Sequence, residues 1–168
     1  MSTIQIKILL AILLASPFAF ADSQRNESLE SHCLKSEKTI FEFNTTPRKK
    51  TVSLCEGEKQ NYLVYRYGRP GKPEIQYPLI LDENSWGKFN LDGYSRGGGI
   101  GNDAMGDYSL SFTNIDTEYI ITQNWRLATN EYYIGIIIKT PTKRYVVHGD
   151  PKTQIGSLLL LGNRIQLD

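Results

Sequence analysis

The residues best suited to chemistry lie in one stretch, Tyr94-Ser-Arg-Gly-Gly-Gly-Ile-Gly-Asn-Asp-Ala-Met-Gly-Asp107. Five glycines between Gly97 and Gly106 predict a loop rather than a helix or regular strand. Gly99, Gly101 and Ala104 match the spacing of a dinucleotide fingerprint. That fingerprint works only between a strand and a helix, and here a strand pattern follows. No Lys-Ser or Lys-Thr follows Gly106, so the stretch is not a phosphate-binding P-loop either. Asn102, Asp103 and Asp107 offer oxygens to a cation, yet their spacing differs from that of a helix-flanked calcium loop. No metal or cofactor is expected. What remains is a backbone-rich loop whose Ser95, Arg96, Gly97, Gly98, Asn102 and Asp103, with Asn114 on a following turn, can enter a partner's cleft. Arg96 is its only cation, and a guanidinium can pair a carboxylate bidentately.

Catalytic constellations are missing. His148-Gly149-Asp150 resembles a base beside an orienting acid, but no Gly-x-Ser-x-Gly elbow accompanies it. His32 sits in a weakly patterned segment. The sequence has two cysteines, Cys33 and Cys55, 22 residues apart. In an exported chain such a pair reads as a disulfide, which leaves no thiolate nucleophile. The expectation is a binding protein, not an enzyme.

Export itself is read from residues 1–21. One lysine, Lys7, precedes the apolar run Ile8–Phe20, Ala19 and Ala21 put small residues at both positions that define cleavage after Ala21, and Asp22 begins a polar stretch. The run is interrupted by Pro17 and is short of the roughly 20 residues a membrane span needs. Signal cleavage therefore leaves no expected span, and a periplasmic or secreted protein. Losing Lys7 from 19 basic residues balances the 18 acidic ones. A neutral chain has no overall electrostatic attraction to nucleic acid.

The elements that hold the loop are read as strands. Residues 22–37 form a polar lead-in, and residues 38–168 a single β domain. Alternation or β-rich composition marks Thr39–Phe43, Thr51–Leu54, Tyr62–Tyr67, Glu74–Tyr77, Lys88–Asp92, Tyr108–Thr113, Glu118–Gln123, Tyr132–Lys139 and Arg144–His148. Leu158–Leu161 fits a strand or a helix. The fold class is all-β, a small antiparallel barrel or sandwich of about nine to ten strands, with one disulfide near the N-terminus. Tyr62, Tyr65, Tyr67, Tyr77, Trp86, Phe89 and Tyr94 are expected mostly in the core. With Arg66, Arg69 and Arg96, a few of them can form a surface patch for glycan.

The run Tyr62-Leu-Val-Tyr-Arg-Tyr-Gly-Arg-Pro-Gly-Lys72, with the Ser95-Arg-Gly-Gly-Gly99 and Leu110-Ser-Phe-Thr-Asn114 segments, resembles a group of small uncharacterised periplasmic proteins of Gram-negative bacteria. Ser95 with Gly97, and Phe112-Thr113-Asn114, also resemble two segments of the periplasmic inhibitors of c-type lysozyme. In that family both segments enter the enzyme's cleft. Here Arg96 separates Ser95 from the glycines, and Asn114 stands where that family has lysine. The resemblance implies a loop-in-cleft binder of a hydrolase or toxin.

Overall fold

The computed structural model describes residues 30–162 and 164–165. The stretch expected to be an export signal, residues 1–21, lies outside them. Ten strands follow one another: β1 (Lys38–Thr46), β2 (Thr51–Glu56), β3 (Leu63–Arg69), β4 (Lys72–Tyr77), β5 (Asn90–Arg96), β6 (Met105–Asn114), β7 (Thr117–Arg126), β8 (Glu131–Lys139), β9 (Arg144–Gly149) and β10 (Ile155–Gly156). All pairings are antiparallel, in the order β4-β3-β2-β1-β9-β8-β7-β6-β5, with β10 against β1. β1 joins the two halves. Its residues Lys38–Asn44 pair with β2, while Thr45 and Thr46 pair with β9.

The path is not closed by hydrogen bonds, because β4 and β5 are its two ends. Aromatic rings bridge them instead. Tyr77 at the end of β4 stacks on Phe112 of β6, with centroids 4.4 Å apart, and meets Phe89 edge-on at 5.6 Å. Tyr65 of β3 packs on Phe112 and Tyr119. Period-two alternation sends Phe41, Phe43, Val52, Leu54 and Tyr65 of the first half into the core. From the second half come Leu91, Leu110, Phe112, Ile121, Ile134 and Ile136. Each fully buried aliphatic or phenyl side chain contributes roughly 1.5–3 kcal/mol.

Every residue of β2 is buried, although its sequence alternates. The outward face of β1–β3 is covered by residues 30–37, the described part of the lead-in. Cys33 and Cys55 are disulfide-bonded there, with Cα atoms 5.5 Å apart. Arg66, read from sequence as a surface cation, lies beneath this strap. Its guanidinium grips the Glu37 carboxylate through two hydrogen bonds of 2.6 and 2.9 Å. It also donates to the Gln76 side chain and the His32 carbonyl. A buried charge persists only when so fully paired.

One other reading changes, and one left open is settled. Lys88 belongs to the 3-10 helix Glu83–Lys88, capped when the Asn84 N–H donates to the Asp82 carboxylate, and the next strand begins at Asn90. Leu158–Leu161 is also a 3-10 helix, started by the Ser157 hydroxyl accepting from the Leu159 N–H. Its Leu158 and Leu161 are buried against the core.

Candidate binding edge

The glycine-rich stretch is an ordered projecting hairpin. Ser95 and Arg96 are the last residues of β5, paired with Gly106 and Met105. Beyond them Gly99 and Asn102 form an isolated bridge, each N–H donating to the other's carbonyl, at 2.9 and 3.2 Å. Ile100 and Gly101 form the apex, and the positive φ of Gly101 (+88°) supplies the turn. The Ile100 side chain is fully exposed. Four residues past β5, the apex stands at most about 13 Å beyond the ladder.

The base of the hairpin is stitched to rigid neighbours. Arg96 Nε donates to the Asp103 carbonyl at 3.0 Å. The Ala104 carbonyl accepts from the Leu127 N–H on the β7–β8 turn. Behind it Tyr108 stacks on Trp125, centroids 5.8 Å apart and planes 5° from parallel. This stack needs glycine beneath it. A Cβ on Gly93 would run into the Tyr108 ring, and one on Gly106 would run into the Trp125 indole. The Ser95 and Tyr108 hydroxyls lie 2.9 Å apart.

The structure thus brings Ser95, Arg96, Gly97, Gly98, Asn102 and Asp103 together, all exposed, on one protrusion. Asn114 is not with them. It ends β6 at the opposite pole, nine residues from Met105, or roughly 30 Å along the strand. There it lines a cavity of about 680 Å3 with Tyr77, Leu79, Ile80 and Lys88.

A second hollow opens beside the hairpin. This cavity of about 360 Å3 is lined by Gln123, Trp125, Leu127, Tyr132, Ser157 and Leu159. Gln123 organises its floor. Its amide N–H donates to the Tyr132 hydroxyl at 2.8 Å, and its carbonyl accepts from the Ser157 hydroxyl and the Leu158 N–H. The strand pattern read from sequence stops at Gln123 and so misses Trp125. Continuing the alternation Tyr119, Ile121, Gln123 by one step places Trp125 on the same inward face.

Elsewhere, Asp150 accepts from the Lys152 N–H, starting the 3-10 helix Pro151–Thr153, while His148 packs edge-on against Tyr133. Tyr65, Tyr67 and Phe89 are core, Tyr77 and Trp86 pack against it, and Tyr94 is exposed. Among the described residues the one cluster with metal-ligand chemistry is Cys33, Glu37 and Cys55, whose sulfurs are joined to each other. No helix among the described residues is long and apolar enough to cross a membrane. Comparison with models of protein families, with curated proteins and with solved structures returned no match.

Proposed function

We propose that this protein is an exported binding module that inserts the Gly97–Ala104 hairpin into the cleft of an envelope-attacking hydrolase. The observation that carries this reading is the bare apolar apex on an anchored base. The Ile100 side chain stands fully in solvent, while Arg96, Asp103 and Ala104 fix the protrusion below it. A pre-ordered hairpin loses little conformational freedom on binding, and a large side chain at its tip is the kind that fills a pocket. Arg96 uses only Nε within the hairpin, which leaves its terminal nitrogens for a carboxylate, and glycan-cleaving clefts are built around carboxylates. The Cys33–Cys55 bridge supports an oxidising compartment, and the likeness to lysozyme inhibitors supplies the class of partner.

A second reading, a glycan-binding module, is favoured by the hollow floored by Trp125 and walled by Tyr132, since flat aromatic faces suit sugar rings. One experiment separates the two. The mature protein is used to capture partners from soluble envelope extract and, in parallel, is sedimented with purified insoluble cell wall. The inhibitor reading expects a soluble hydrolase to be captured, with Ile100→Asp weakening binding by about 2 kcal/mol. Stability should stay within about 0.5 kcal/mol, because the side chain is exposed. Co-sedimentation with wall that is abolished by Trp125→Ala, with no hydrolase captured, would replace it by the glycan reading.

A further inference from the structure

Among the described residues several stretches of strand edge are unpaired, and the three longest to compare, on β4, β9 and β5, differ in what a second strand would meet. β4 carries Pro73, which cannot donate to a ladder, and its Glu74 is held by Lys50 and Arg69. Residues 144–147 of β9 pair only with β8, and their one charge is Arg144, so a second copy would bring no opposite charge to it. β5 is different. It has no proline, pairs with β6 alone, and is exposed from Tyr94 to Arg96.

The sequence of β5 is also self-complementary. In Asp92-Gly93-Tyr94-Ser95-Arg96 the acid and the base lie two residues either side of an exposed tyrosine, so all three side chains share one face. Among the described residues neither Asp92 nor Arg96 has an ion-pair partner. Arg96 donates only to a backbone carbonyl, and β6 offers Ser109 opposite Asp92 and Met105 opposite Arg96. Opposite charges placed across an antiparallel ladder stabilise it, and unpaired edge backbone is a template for a further strand.

We propose that β5 pairs antiparallel with β5 of a second copy of this chain, on a twofold axis through Tyr94, so that each Asp92 faces the other copy's Arg96. The two tyrosines then meet at the axis and cover each other. Because the same edge serves both copies, the assembly closes at two. The antiparallel arrangement points the two Ile100 apices away from each other at opposite ends; it takes up the Arg96 terminal nitrogens, so in the dimer the cleft contact rests on Ile100 and the hairpin backbone, while a monomer keeps Arg96 for it as well.

The test is sedimentation velocity of the mature protein over a range of concentrations, with charge variants, and cysteine cross-linking beside it. Wild type is expected to sediment with twice the chain mass at the upper end. Asp92→Arg sets arginine against arginine twice and is expected to raise the dissociation constant roughly tenfold or more. Adding Arg96→Asp to it restores both pairs with reversed polarity, and the dimer returns. Tyr94→Cys, sitting on the axis, is expected to give a disulfide-linked dimer on mild oxidation, whereas the exposed Ile115→Cys at the other pole gives none above background. The proposal is overturned if wild type stays monomeric throughout, if Asp92→Arg leaves association unchanged, or if the Tyr94→Cys variant cross-links no better than Ile115→Cys. None of these results alters the outcome of the Ile100→Asp capture experiment, so the two ideas fail separately.

Discussion

His32 is a buried imidazole with neither ring nitrogen hydrogen-bonded. It belongs to the strap, within electrostatic reach of Glu42 of β1, Arg66 of β3 and Glu74 of β4. Burial lowers its pKa below the usual 6.5, and the Arg66 charge adds to this, against the pull of the two carboxylates. The unfolded chain therefore binds more protons than the folded one between that lowered value and about 6.5. Stability from this group is complete above that window and is lost as pH falls through it. Glu37 acts at more acid pH. Burial raises its pKa, but hydrogen bonds from Arg66, the Leu34 N–H and Tyr62 together bring it below 4.5. Its contribution is thus present above 4.5 and lost below. Replacing His32→Phe is expected to raise stability at neutral pH by about 1 kcal/mol, since it removes two unsatisfied buried nitrogens. It should also flatten the decline just below pH 6.5, while the loss below 4.5 remains. Urea midpoints measured across pH check this, and equal slopes in both proteins through the upper window would exclude His32 as its source.

The strap and the hairpin show two ways of using a strand's free surface. The strap turns an outward polar face, Glu42, Ser53 and Arg66, into interior. The Ser31 and Ser53 hydroxyls both donate to Glu42, and the bidentate Arg66–Glu37 pair does the rest. The disulfide closes a 22-residue separation, worth about 3 kcal/mol by the chain-entropy estimate. A Cys33→Ala/Cys55→Ala variant is expected to lose about that much stability in denaturant titration. Hydrogen exchange should then quicken first at the His32 and Leu34 amides, which donate to Ser53 and Glu37, and later in β6–β7. Uniform acceleration over the whole sheet would mean that the strap is not a separable unit. The hairpin was legible in part: its glycines marked a break in the strand pattern. Its order was not, because the Gly99–Asn102 bridge and the Leu127–Ala104 hydrogen bond carry no compositional signature.

Across the whole molecule, aromatic contacts take the place of the missing β4–β5 ladder. Phe112 is the hub, touching Tyr65, Tyr77, Phe89 and Tyr119 with centroids between 4.4 and 5.5 Å. Phe112→Ala is expected to cost about 4 kcal/mol, read from the denaturant midpoint. A loss below about 1 kcal/mol would show that the two halves hold together without this seam. That Phe112 faces inward follows from its alternation with Tyr108 and Leu110, and the same local period identified most strands and the all-β class. The disulfide, too, needed only an even cysteine pair and the expectation of export. These readings succeed because side-chain alternation and turn chemistry depend on neighbours a few residues apart. Where Asn114 lies, why Arg66 is buried, and how Trp125 comes to floor a hollow depend on residues far apart in the chain. Strand order, sheet curl and the strap's path bring those residues together, and alternation is blind to all three: it tells which face a side chain takes, not what covers that face.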